Sequence, residues 1–336
     1  MTNQSEHSES PDRDKAAAPE DFVSCASIES KEVGETESPV SDEIEVLVLD
    51  ENAPVHYYSP QSDIREPVRL VSNMFRDFLA GRELAWRLFV RNLRGMYRQT
   101  LLGLFWAFLP PIANTAIWIF LKSQNAFSTS GLAVPDAVFI LTGMILWQAF
   151  VDAFQAPARL VKSNKNMVSR LNFPRESLLL VGFGEVTFNL MIRLLLLVPA
   201  FWYYGIAVHP GILLSPIAIA SMIFFGLGLG LLILPIGSLY QDVERFVGMF
   251  VPFWMIITPI IYNPPSFDSA GPFAYLLNWL NPAAPLLILS RDLLLLGGTE
   301  HVLISIIFVI ISLPVFFLGL VFYRISLPVL IERMAT

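Results

Sequence analysis

Six apolar runs follow one another between residues 101 and 323, and they dictate most of what this chain can become. They occupy 101–121, 137–154, 178–204, 212–239, 246–262 and 302–323. At 1.5 Å per residue the first reaches roughly 31 Å as a helix, matching a hydrocarbon core of ~30 Å. Pro110 and Pro111 lie at its middle and should bend it. Of the 336 residues 54% are hydrophobic and 15% charged, against a usual charged share of about 25%. The expectation is an all-α integral membrane protein in which residues 99–336 form a six-span transmembrane domain.

Two shorter apolar pieces, 273–280 and 286–296, stand before the last run, separated by Asn281-Pro282-Ala283-Ala284-Pro285. They reach roughly 12 and 17 Å, so neither crosses alone. Residues 273–296 therefore read as an outer re-entrant helical hairpin. The rival is a seventh span, which would put the C-terminus outside. Charge placement bears on the choice. With the N-terminus inside and six spans, 16 of the 22 Lys and Arg fall on the cytoplasmic side. Lys122 and Arg291 are left outside, three more lie in the N-terminal tail, and Arg193 is within a span. That bias orients the chain with both termini cytoplasmic.

Residues 1–60 hold 15 acidic and 3 basic residues, a net −12, while the remainder is net +5. The first thirty residues have no basic stretch followed by an apolar run, so no cleavable signal is expected. Residues 1–62 read as an acidic, disordered cytoplasmic tail. Residues 63–98 read as an amphipathic segment at the membrane interface. There Arg87, Arg91, Arg94 and Arg98 fall at i, i+4, i+7 and i+11, one cationic stripe on a helix. Trp86, Val90, Leu93 and Tyr97 repeat that spacing as an adjacent apolar stripe, suiting a helix at a lipid surface.

Several chemistries are excluded. The chain lacks GxxxxGK[ST], HExxH, GxSxG and CxxC, and Cys25 stands alone. His7, His56, His209 and His301 are not spaced for a shared metal, so no metal site is expected. Catalytic residues, cofactors on this chain and nucleic-acid partners are likewise not expected.

The loop 159–175, RLVKSNKNMVSRLNFPR, is the clearest candidate for work. Leu160, Val161, Met167, Val168 and Leu171 can line one side of a short helix, with Lys162, Lys165 and Arg170 wet. Phe173-Pro174-Arg175-Glu176 stops it, and Pro174 with Glu176 suits the first turn of the next helix. Such a helix can dock on a soluble partner; a positive-inside loop without a partner has the same pattern. Glu185, Asn189 and Arg193 sit at i, i+4 and i+8 on the third run. Glu185 and Arg193 are ~12 Å apart along the axis and ~80° apart around it, so they should not pair. Glu185, read at mid-depth, needs a bundle interior, a partner charge or a wet path. Arg193 can snorkel to the outer face, and Asp152 can reach cytoplasmic water. Trp106, Trp147, Phe150 and Phe154 are either interfacial anchors or a track on which sugars could stack.

The order of short motifs resembles that of type 2 ABC exporter permeases, above all those for O-antigen, capsule and teichoic acid. Residues 98–106 resemble the R-x-S/T-x-L-G-x-x-W signature ending in Trp106, and 173–176 match FPRE. Tyr240-Gln241-Asp242-Val243 is similar to R-D-V, with Gln where Arg is usual. Residues 258–262 are similar to S-P-I-x-Y, and Asn281-Pro282 with Arg291-Asp292 match N-P…R-D. The resemblance implies a homodimer of six-span permeases in the plasma (inner) membrane. Each would bind an ABC ATPase subunit that carries the ATP and Mg, through Leu160, Val161, Met167, Val168, Leu171, Phe173, Pro174, Arg175 and Glu176. It further implies export of a lipid-linked glycan, with Arg87, Arg91, Arg94, Arg98, Trp106, Glu185 and Asn189 as candidates for substrate admission and the channel. A same-fold exporter of a small amphiphile and a non-transporting membrane scaffold are the alternatives.

Overall fold

The computed structural model describes residues 76–98, 103, 105–124, 134–164, 176–264 and 279–335. The tail 1–62, residues 63–75 of the amphipathic segment, the loop positions Met167, Val168, Leu171, Phe173, Pro174 and Arg175, and 273–278 of the hairpin lie outside them. All described residues belong to one compact unit. Among them there is helix and no strand. The elements are α1 (Arg82–Arg98), α2 (Phe105–Ser123), α3 (Asp136–Ser163), α4 (Glu176–Leu194), α5 (Leu197–Tyr204), a 3-10 turn (Pro210–Leu213), α6 (Ser215–Leu239), α7 (Gln241–Ile257), α8 (Ala283–Leu295) and α9 (Val302–Ala335).

Among the described residues, five stretches are long and apolar enough to cross a membrane: α2, α3, α4 with α5 (Glu176–Tyr204), α6, and Val302–Ser326 of α9. The apolar runs located them, yet their ends differ. α3 continues two and a half turns past Phe154, because Arg159 and Lys162 can leave the bilayer without ending a helix. The third run breaks at 195–196, where Leu195 N–H bonds to Ile192 O (3.1 Å) and Leu196 N–H to Arg193 O (3.0 Å). Such i to i−3 bonds tighten the turn and redirect the chain without a proline. In the expected span 246–262, α7 ends at Ile257, so its 17 residues reach roughly 25 Å.

α3 and α6 form the centre of the bundle, with 78% and 67% of their apolar windows buried, against 11% for α2 and 17% for Val302–Ser326. Two α6 glycines allow this. A Cβ at Gly230 would collide with the Phe154 carbonyl of α3, and one at Gly228 would lie 2.8 Å from the Phe316 backbone of α9. The GxxxG spacing of Gly226 and Gly230 thus marks close packing of α6 on α3.

Candidate functional site

The end of the bundle formed by α1 and the facing ends of α3 and α4 gathers most of the polar residues singled out by sequence. α1 has three faces. Ala85 and Leu88 are buried against Leu160, Leu178 and Val181, with Leu84 and Phe89 packed beside them. Gly184 of α4 lets Phe89 lie close, since a Cβ there would come within 3.1 Å of the ring. The stripe holding α1 to the protein therefore follows Ala85, Leu88 and Asn92, and the apolar stripe expected to face lipid at Trp86, Val90 and Leu93 is a separate face. That expected stripe is rotated roughly 140° from the docked one, and Trp86 is 64% exposed. The arginine stripe occupies the third face.

Arg87, Arg91 and Arg94, together with Trp86, Val90 and Gly95, border a shallow, open groove along α1 alone. Arg98 ends α1, with its side chain outside the described set. Arg87 pairs with Glu83 at 2.6 Å, one turn earlier and in water. Arg91 turns toward α3, its Nη2 donating to Asn164 Oδ1 (2.9 Å). Beside it Glu185, 3% exposed, accepts from Asn92 Nδ2 (2.8 Å) and Arg159 Nη2 (3.3 Å). A buried carboxylate is thus met by an amide and a cation from two other elements, which removes the penalty of leaving it unpaired. As spacing required, Arg193 is not its partner. The groove presents arginine donors beside an indole ring, chemistry that can receive a phosphate and an apolar chain together.

Other candidates are more dispersed. Leu160 and Val161 belong to the last turn of α3 and are buried within this chain. They face α1, α4 and the α6–α9 packing rather than solvent. Glu176 opens α4, where its Oε1 accepts from Arg324 Nη1 (2.7 Å). Asn189 is half-buried one turn beyond Glu185, and Trp106 is exposed in the first turn of α2. Gly103 takes φ 49° between α1 and α2, a left-handed conformation that suits glycine.

Two expectations are overturned. Arg193 neither snorkels outward nor leaves Asp152 to water, because its Nη1 pairs with Asp152 Oδ2 at 2.6 Å across α3 and α4. Trp147, Phe150 and Phe154 are neither interfacial anchors nor an open sugar track. They are buried and meet Trp254 of α7 edge-on at centroid distances of 5.9, 5.2 and 6.1 Å.

Asn92, Arg159, Asn164 and Arg324 were missed as site residues because their partners lie 93, 26, 73 and 148 positions away. Helical periodicity cannot report contacts between helices.

The opposite end is held by the short motifs. Asn281 Oδ1 accepts from Trp254 Nε1 (2.8 Å) and Ala283 N–H (3.1 Å), and its Nδ2 donates to Thr258 Oγ1 (2.8 Å). Arg291 Nη1 donates to the Pro259 carbonyl (2.7 Å), with its guanidinium 3.8 Å from the Phe139 ring centroid. The N-P and R-D pairs thus fasten α8 to the break after α7.

Comparison with known proteins bears on both ends. Residues 83–295 match the ABC-2 type transporter family. The chain is similar to the O-antigen export system permease protein RfbA of Klebsiella pneumoniae, 21% identical over 220 residues, covering 65% of this chain and 82% of that protein. A second Klebsiella pneumoniae RfbA is 20% identical over 221 residues, 65% and 83% of the two chains. The Myxococcus xanthus RfbA is 22% identical over 225 residues, 66% and 82%.

Proposed function

The chain belongs to the ABC-2 type transporter family, and we propose that it is the permease subunit of a polysaccharide exporter. In this reading two copies enclose a path for a lipid-linked glycan, and a separate ATPase subunit drives it outward. The polysaccharide class comes from three O-antigen export permeases that the chain resembles, each covered over four fifths of its length. The arginine groove on α1 carries the substrate side. Its guanidiniums suit the pyrophosphate of a lipid carrier, and Trp86 and Val90 suit the carrier's first isoprene-like carbons.

The partners of Glu185 support a membrane placement for the groove. Glu185 accepts from Asn92 of α1 and from Arg159, whose side chain is 43% exposed near the end of α3. Glu185 then sits at the cytoplasmic boundary rather than at mid-depth, level with the α1 arginines. Asp152 and Arg193 are left within the apolar slab, paired with each other. The six-span count includes α7, and α8 with the segment before it forms the outer hairpin, with both termini cytoplasmic. Residues 165–175, between Asn164 and Glu176, meet the ATPase.

The full-length chain purified from its native host should bring an ABC ATPase subunit with it. Changing Arg87, Arg91 and Arg94 together to Gln should abolish export while leaving insertion and ATPase binding intact. Equal loss of insertion would reduce the stripe to an anchor, and failure to recover an ATPase would sink the exporter reading.

A further inference from the structure

The segment that carries the arginine groove is tied at two separated points, and both ties land beside residues 165–175. At the first, Arg91 holds Asn164 (2.9 Å), the residue before that loop. Asn92 joins it through Glu185, which also receives Arg159 from the last turns of α3. At the second, Arg324 of α9 spans two carboxylates. Its Nη1 donates to Glu176 Oε1 (2.7 Å), the residue after the loop, and its Nη2 to Asp77 Oδ2 (3.1 Å). Asp77 lies in the helical stretch 76–80 before α1.

That stretch and α1 act as one rod. Gly81 N–H bonds to Asp77 O and Ala85 N–H to Gly81 O, both at 2.8 Å, so the helical ladder runs through the junction. Fourteen residues from Asp77 to Arg91 make roughly 21 Å. Between the two ties, Ala85 and Leu88 bury against Leu160, Leu178 and Val181. The rod is therefore seated on the two helices that flank the loop, and bonded to the residue on either side of it.

We propose that Arg324 is a positioning residue for transport, which holds the groove-bearing rod to Glu176 at the start of α4 so that the rod and α4 move together. The chemistry requires an arginine. Asp77 and Glu176 have side chains only 9% exposed, and each accepts from a different nitrogen of one guanidinium. A planar fork can hold both acceptors in fixed geometry, whereas a lysine is a point charge. Without the cation, two buried carboxylates face each other, and the start of the rod is driven off α4. Arg324 brings the last span into the same joint, so three elements far apart in sequence share one contact. The inference rests on the permease reading, since it assigns movement to α4, which follows the loop that an ATPase would push.

The test uses the full-length chain with its co-purified ATPase subunit in lipid nanodiscs, with Cys25→Ser as background. Spin labels at Arg82→Cys on the rod and Tyr240→Cys between α6 and α7 report the rod's position with and without ATP. In the parent protein the distance should be narrowly distributed and shift on ATP addition. Arg324→Gln should broaden the distribution and lose the shift while the ATPase stays bound, and Arg324→Lys should recover only part of it. A triple change, Asp77→Asn, Glu176→Gln and Arg324→Gln, removes the repulsion and so keeps the fold, but should still lack the ATP-dependent shift. A parent-like shift in either Arg324→Gln or the triple variant would overturn the proposal. If no ATPase co-purifies, the permease reading fails separately. Broadening by Arg324→Gln in the permease alone would still show the tie, and no broadening there would refute it.

Discussion

Two arginines fasten helices at opposite ends of this bundle, and they do so by different physics. Arg324 holds two carboxylates with a side chain 21% exposed. Arg291 is 1% exposed. It rests on the Phe139 ring and donates to a backbone carbonyl, with Asp292 3.8 Å away. Around it, the Trp254–Asn281–Thr258 contacts are neutral hydrogen bonds. Arg324 ties two carboxylates that are themselves only 9% exposed, so the elements it joins are held as one piece at the rim of the bundle. The network at the α8 end lies inside the packed bundle, where every broken bond strands a polar group. In the proposed reading the arginine-groove end moves as one body, and the α8 end stays.

The largest expected effect comes from breaking the fixed end. Arg291→Met strands the Pro259 carbonyl and leaves Asp292 without its neighbouring cation, and should cost about 3–5 kcal/mol. Thermal unfolding in lipid nanodiscs would show it, along with poor yield of monodisperse protein. Melting like the parent protein would mean that this end is not a fixed joint. Next comes Asn281→Ala, which removes one donor and one acceptor that serve three partners. A loss of about 2 kcal/mol is expected, with the ATPase still bound, because the change is remote from residues 165–175.

Glu185→Gln tests the movable end. The amide oxygen can still accept from Asn92, while Arg159, whose side chain is 43% exposed, turns to water. The expected stability loss is about 1 kcal/mol, with a larger proportional loss of export. A stability loss matching that of Arg291→Met, measured in the same unfolding assay, would erase the contrast between the ends.

The two ends also differed in how far sequence alone could read them. Five of the six apolar runs coincide with helices long enough to cross a membrane, and the i, i+4, i+7 arginines located the groove face, because both signals are local to one helix. The Asn281-Pro282 break was visible for the same local reason. Arg324 registered only as one more cytoplasmic charge, since its partners are at positions 77 and 176. The docking stripe of α1 was hidden because Ala85 is small and Asn92 is polar, so neither registers as apolar. Asp152 and Arg193 looked like two separate groups, each with its own route to water, until the packing of α3 on α4 brought them together. Local periodicity determines which face a residue takes and is silent on which helix that face will meet.

The smallest expected effect separates exposure from position. Lys162 and Glu244 join the end of α3 to the start of α7 at 3.0 Å, with side chains 72% and 58% exposed. They lie at the movable end and, like Arg324, bridge elements far apart in sequence. If location alone made a contact important, Lys162→Gln should disturb the protein as Arg324→Gln does. Hydration argues otherwise. Both groups are already solvated, the two long side chains lose rotamer freedom to meet, and salt screens what remains. Lys162→Gln should therefore cost less than about 0.5 kcal/mol, and the difference should shrink further at high salt. A substantial, salt-independent loss in the unfolding assay would mean that burial is not what separates the arginine joints from the other ion pairs on this face.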